Sequence, residues 1–152
     1  MKKLLVFGFI GLMVVSCKPT MDTKSQVGLK GNWTLTSITH IGGEYVKVNS
    51  FNIADAHCFE GSQWKFVSNN NSGTLSLNKG GDCPYFESSF KWTVTPNSDF
   101  EFKFIDEGMK AKHVTTGYKM KVKNQSANSF ELVDKFYAGG QSYDVTYHFE
   151  RN

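Results

Sequence analysis

Apolar and polar residues alternate with a period of two along most of this chain, the mark of strands with one buried face. Trp33 and Leu35 alternate with Thr34 and Thr36, Trp64 and Phe66 flank Lys65, and Leu75 and Leu77 flank Ser76. Phe86, Ser88, Phe90, Trp92 and Val94 are interleaved with polar or charged neighbours. So are Phe100, Phe102 and Phe104, and then Tyr118, Met120 and Val122. No window shows a helical period. The pattern predicts an all-β fold of about eight to ten short antiparallel strands.

Turn residues mark the connections. Asn69 to Gly73 joins Phe66 to Leu75, Pro96 to Asp99 joins Val94 to Phe100, and Asn124 to Asn128 is the next loop. Gly139-Gly140 suits a two-residue type I′ hairpin, in which both central residues need positive φ. That turn sets a register of Phe130 opposite Phe149, Leu132 opposite Tyr147 and Phe136 opposite Tyr143. It also places Asp134 opposite Val145 on the inner face, where a carboxylate needs partners or a bulge must turn it outward. The meander of hairpins favours an up-and-down barrel over a sandwich.

One stretch departs from the alternation. Leu4 to Val15 is continuously apolar apart from glycines, and Lys2 and Lys3 precede it. About twelve residues at about 1.5 Å each fall well short of a ~30 Å hydrocarbon core, so the segment reads as a cleavable secretory signal. Val14-Val15-Ser16-Cys17 resembles the lipobox of bacterial lipoproteins. The resemblance implies cleavage before Cys17, a diacylglyceryl group on its sulfur and acylation (palmitate or similar) of its new amine, hence anchoring to membrane lipid. Lys18, rather than an aspartate, follows the cysteine, which by the same resemblance implies an outer-membrane lipoprotein of the bacterial envelope, with the leaflet left open. The expected organisation is signal peptide 1–16, lipidated cysteine and flexible polar tether 17–29 reaching about 20 Å, and one domain over 30–152.

Charge then changes meaning. Two of the 17 basic side chains lie in the signal, leaving 15 against 14 acidic ones, a formal charge of +1. No charge-driven nucleic-acid partner is implied. Beyond Cys17 only Cys58 and Cys83 remain, in a chain bound for an oxidising space. A Cys58–Cys83 disulfide is the natural pairing, and closing its loop is worth about 3–4 kcal/mol of chain entropy. A metal pair with His57, or a reactive thiol, are the alternatives.

Gly31-Asn32-Trp33 opens the first strand of the domain, and Arg151, the chain's only arginine, ends the last. This pairing resembles the lipocalins and related calycins, whose G-x-W tryptophan closes one barrel end beneath an arginine from the last strand. With the cysteine pair and the aromatic-rich strands, the chain is similar to the lipocalin-like lipoproteins common in Bacteroidetes. A T-D-Y-type second signature of that family is not seen. The resemblance implies a lipocalin-like barrel with Trp33 and Arg151 as a structural plug, and a small, partly hydrophobic ligand. The candidate lining residues are the inward aromatics Trp64, Phe90, Trp92, Phe102 and Tyr118, then Met120, Asp134, Tyr143 and Tyr147.

Catalytic chemistry has little support. His40, His57, His113 and His148 are scattered without metal-ligand spacing, and Asp144 and His148 share an outward strand face. The expectation is a binding protein, not an enzyme, without cofactor, metal or catalytic residues. The alternative is a non-enzymatic interaction or structural lipoprotein, an inhibitor or assembly accessory with a filled barrel. It would work through its surface, including the Lys119, Lys121 and Lys123 stripe, toward an envelope protein or polysaccharide.

Overall fold

The alternating segments close into an antiparallel barrel. The computed structural model describes residues 22–41 and 46–152; the expected signal segment, Cys17 and the start of the tether lie outside them. In chain order the strands are β1 (Gly31–His40), β2 (Asn49–Ser50), β3 (Ala54–Asp55), β4 (Gln63–Val67), β5 (Ser72–Leu77), β6 (Phe86–Val94), β7 (Asp99–Ile105), β8 (Tyr118–Lys123), β9 (Ser129–Ala138) and β10 (Gln141–Arg151). Eight of them form the wall in the order β1-β10-β9-β8-β7-β6-β5-β4, and β4 returns to pair with β1. The short β2 and β3 pair only with each other.

The β9–β10 register is the one that the Gly139-Gly140 turn requires. Phe130 faces Phe149, Leu132 faces Tyr147 and Asp134 faces Val145, and the two glycines have φ of 58° and 76°. β1 meets β4 with its first residues and β10 along most of its length. A register shift between Leu35 and Ser37 adds one residue to β1, the bend such a strand needs to serve two neighbours.

The barrel has two unlike ends. Trp33, Arg151 and the β6–β7 and β8–β9 turns lie at the closed end. The mouth carries residues 46–62, the 78–85 and 106–117 connections and the glycine hairpin. Inside the closed half, Trp33 meets Phe130 edge-on at 4.7 Å, and Phe130 stacks on Phe149 at 4.5 Å. Both ends and the middle belong to one continuous hydrophobic core.

Part of the segment expected to be flexible is structured. A helix, α1 (Thr23–Gly28), docks across the closed end and so removes 22–29 from any flexible linker. Asp22 caps it, accepting from the amides of Lys24 and Ser25 and from the Ser25 hydroxyl. The buried Gln26 accepts from the Val94 amide at 2.7 Å and donates to Asn71 at 3.1 Å. Leu29 is fully buried. Six residues are too few to show a 3.6-residue period, and a glutamine that docks by hydrogen bonds leaves no hydrophobic mark. Among the described residues no helix is long and apolar enough to cross a membrane.

Candidate functional site at the barrel mouth

The mouth is closed from above by its own chain. β2 and β3 make a minimal hairpin whose tip, Phe51 and Asn52, adopts φ of 56° at both residues. The left-handed region is unusual for a phenylalanine, and a bulky residue held there must be over-determined by its surroundings. The surroundings here are aromatic. The Phe51 ring stacks on Tyr147 at 5.4 Å and meets Phe59, Phe102 and Tyr118 edge-on, each at 5.3 Å. Trp64 lies below at 6.3 Å, and its indole N–H donates to the Ser62 hydroxyl.

Polar groups fasten the tip. The Tyr118 hydroxyl donates to the Phe51 carbonyl at 2.6 Å, and the hydroxyls of Ser50 and Tyr147 share a hydrogen bond of 2.8 Å. Burial pushes the Tyr147 phenol far above its ordinary range and raises that of Tyr118 as well. Both therefore stay neutral hydroxyls at any physiological pH.

The nine candidate lining residues divide by depth. Trp64, Phe102, Tyr118 and Tyr147 surround Phe51 and form the floor and sides of the mouth. Phe90, Trp92 and Met120 do not line it, because they fill the middle and closed half of the barrel. Phe90 seats against Gly73, where an added Cβ would come within 2.2 Å of its ring. Trp92 stacks on Phe100 and donates to the Ser72 carbonyl, and Met120 pairs with Phe100. Tyr143 lies on the part of the β9–β10 hairpin that projects past its neighbours, its hydroxyl donating to Gln141.

Asp134 is half-buried, and burial is the main cause raising its carboxyl above the ordinary carboxylate range. The β8–β9 ladder consists only of Lys121–Lys123 against Glu131–Val133. Toward the mouth the two strands are not paired, and Asp134 stands at the start of that gap.

Phe51 escaped the sequence reading, since Asn49-Ser50-Phe51-Asn52-Ile53 has no sustained alternation. The inward aromatics largely pack the interior, the outcome expected of the filled-barrel alternative. Two hollows of the described surface, of about 490 Å³ beside Lys91, Glu101 and Lys103 and about 590 Å³ beside Thr39, Lys47 and Glu60, both lie outside the wall.

The remaining expected groups are placed as follows. Arg151 lies over the Trp33 ring, Cζ 4.0 Å from its centroid, and donates to the carbonyls of Ala127, Lys30 and Gly28. The Trp33 indole donates to the Leu29 carbonyl at 2.8 Å. Cys58 and Cys83 form a disulfide with Cα atoms 5.3 Å apart, tying the short 3-10 helix at Ala56–Phe59 to the 78–85 connection. Asp144 pairs with Lys135, and His148 faces Glu131 and Thr39, so they do not act as a pair. Lys119 and Lys121 are not free surface charges: both bridge Asp99, at 3.0 and 2.5 Å.

The sequence matches a family described as a lipocalin-like domain over residues 29–132. Among solved structures, the complex of bovine odorant binding protein with a selenium-containing odorant is similar at 12% identity. The match covers 90% of this chain and 78% of that one, with a TM-score of 0.48. The same bovine protein complexed with its natural ligand matches at 12% identity over 89% and 77% of the two chains, with a TM-score of 0.47. No curated protein matches the chain.

Proposed function

Since the chain belongs to the lipocalin-like domain family, we propose that it is a binding module that captures a small, partly hydrophobic molecule in the mouth half of its barrel. The observation that carries this reading is Phe51. The upper interior is filled by one ring delivered from a short hairpin, not by side chains of the wall. A ligand takes that ring's place. A cavity of about 150 Å³ with apolar walls is known to accept a benzene-sized guest, so withdrawing one phenyl group frees room of a useful order.

The polar handles define the guest further. When the hairpin lifts, the hydroxyls of Tyr118 and Tyr147 lose the Phe51 carbonyl and Ser50 as partners. Buried hydroxyls need replacements, so the guest carries oxygen or nitrogen acceptors beside an aromatic or alicyclic body. The unpaired β8–β9 gap beside Asp134 offers a side opening that leaves the rest of the wall intact.

In this proposal Cys17 is acylated and holds the protein on a bacterial envelope membrane, the outer one by the Lys18 reasoning above. The chain reaches the barrel at its closed end, through Asp22 and α1. Ten-residue strands at about 3.3 Å per residue, tilted about 40°, put the mouth about 25 Å farther from the anchor. That orientation supports capture from the aqueous envelope space over extraction from the anchoring bilayer. No enzymatic step is part of this reading.

The continuous core favours a second reading, a filled barrel that works through its surface toward an envelope protein or polysaccharide. Native mass spectrometry of the full chain, extracted gently from its own envelope, separates the two. A discrete added mass lost on denaturation supports capture. A clean apo mass, unchanged by a panel of small aromatic and alicyclic acids, esters and alcohols, sinks it in favour of the surface reading.

A further inference from the structure

The mouth carries a second cluster, on the rim and outside the aromatic chamber. His57 stands beside the disulfide, with its Nε2 3.6 Å from Cys58 Sγ and 3.4 Å from Cys83 Sγ. The same nitrogen is 3.5 Å from Asp82 Oδ1, which lies 3.9 Å from Cys83 Sγ. One imidazole and two sulfurs, borderline and soft donors, therefore converge, with the hard oxygen of a carboxylate beside His57 and Cys83. We propose that reduction of Cys58–Cys83 creates a binding site for a divalent cation of the zinc class, held by His57, Cys58, Cys83 and Asp82. It is independent of the ligand reading above.

The edge lengths of the cluster carry the argument. A tetrahedral zinc ion has metal–sulfur distances of about 2.3 Å and metal–nitrogen distances of about 2.0–2.1 Å, so its sulfur–nitrogen edges are about 3.6 Å long. The two nitrogen–sulfur distances already match that length. With metal–oxygen distances of about 2.0–2.2 Å, the edges from the carboxylate to His57 and Cys83 would be about 3.3–3.6 Å, within a few tenths of an ångström of those present. The two sulfurs must part, to about 3.8 Å, which breaking their bond permits, and the exposed Asp82 side chain must swing in to complete the tetrahedron on the Cys58 side.

The histidine is also set up as a ligand. Asp55 accepts from Nδ1 at 2.7 Å and from the His57 amide at 3.1 Å. A carboxylate on Nδ1 fixes the tautomer that leaves the Nε2 lone pair facing the sulfurs, the arrangement seen behind metal-bound histidines. Lys79 adds a second tie across the site by donating to the His57 carbonyl at 2.6 Å. The 78–85 connection therefore stays near His57 when the disulfide is open. A histidine that merely covers a disulfide does not need Asp55 on its far nitrogen.

The chemistry balances with a dithiol reductant. The dithiol attacks one sulfur, forms a mixed disulfide, and closes on itself, passing two electrons and two protons to Cys58 and Cys83. Metal binding then releases the two thiol protons, because thiolates are the ligands. Reoxidation by an exchangeable disulfide, which takes up the two electrons and two protons as Cys58–Cys83 re-forms, expels the ion, so occupancy follows the redox state of the compartment.

The test uses the full chain reduced with a phosphine and titrated with Co²⁺ without oxygen, followed by absorption and tryptophan fluorescence. The expected result is one Co²⁺ per chain with thiolate-to-cobalt charge transfer and intense tetrahedral d–d bands, displaced by Zn²⁺ and absent from the oxidised chain. Asp55→Asn should weaken binding about tenfold or more through the orientation of His57, and His57→Ala should weaken it further. Absence of the charge-transfer band overturns the proposal, as does His57→Ala binding with wild-type affinity. A reduced chain that loses its tryptophan signature and does not recover it on adding Zn²⁺ overturns it too, because the site requires the two loops to remain apposed.

Discussion

Phe51 and Tyr147 stack with ring centroids 5.4 Å apart and planes 29° from parallel, although Phe51 comes from a loop and Tyr147 from the barrel wall. The contact joins the segment least legible in the sequence to one of the most legible strands. It also makes Phe51 the element that decides whether the mouth is full.

Replacing Phe51 should cost stability and gain binding. A buried Phe→Ala change costs about 3–5 kcal/mol in a packed core. Phe51→Gly suits the positive φ better and should fall near the low end of that range. On the capture reading, either variant should bind a small aromatic probe at least tenfold more tightly than wild type. Urea unfolding and titration calorimetry measure the two quantities. A destabilised variant with no gain in binding would show that the chamber collapses, and would leave Phe51 as ordinary core.

Gln26 should matter more than its place in a polar leader suggests. It is the partner of the Val94 amide, and Gln26→Leu would leave that buried donor unpaired. An unsatisfied buried donor costs about 1–3 kcal/mol. Hydrogen exchange at Val94 should accelerate in the variant along with a lower unfolding midpoint. An unchanged midpoint would mean that α1 contributes nothing to the fold.

These two residues show where the sequence stops being informative. The β9–β10 hairpin could be placed in register because a Gly-Gly turn and facing apolar residues constrain each other. Trp33 and Arg151 stood out as a motif residue and a lone arginine at opposite chain ends. Phe51 and Gln26 act through a single left-handed turn and a pair of side-chain hydrogen bonds, neither of which has a period. The rim cluster was half visible: His57-Cys58 and Asp82-Cys83 are adjacent pairs, but the 25-residue separation of the cysteines hides that one imidazole serves both. Which inward aromatics line the mouth and which fill the floor depends on depth along the barrel axis, and alternation reports only the face.

Arg151 should not be replaceable by lysine. Its three donors reach three different carbonyls while its plane covers Trp33, a geometry one ammonium group cannot reproduce. Because the side chain is solvent-exposed, the expected loss for Arg151→Lys is modest, about 1–2 kcal/mol. Denaturant unfolding should show a lower midpoint with an unchanged slope. Equal stability would make the arginine's stacking incidental.

Asp134 should impose a pH-dependent cost. Burial raises its carboxyl in the folded chain, so the native state holds that proton more tightly than the unfolded state does. Stability from this group is therefore highest at low pH and falls as pH rises from the unfolded value, near 3.8, through the raised folded value. Above the folded value the penalty is constant. Asp134→Asn removes the group, so variant and wild type should unfold at nearly the same temperature below that window. The variant should be the more stable at neutral pH. A melting series from acid to neutral pH reads the divergence directly, and parallel curves would place Asp134 in solvent. On the capture reading, a carboxylate kept beside the mouth at a cost in stability serves the guest, so the more stable variant should bind it less well. If Asp134→Asn proves both more stable and equally competent to bind, Asp134 has no part in recognition, and the guest is held by Tyr118 and Tyr147 alone.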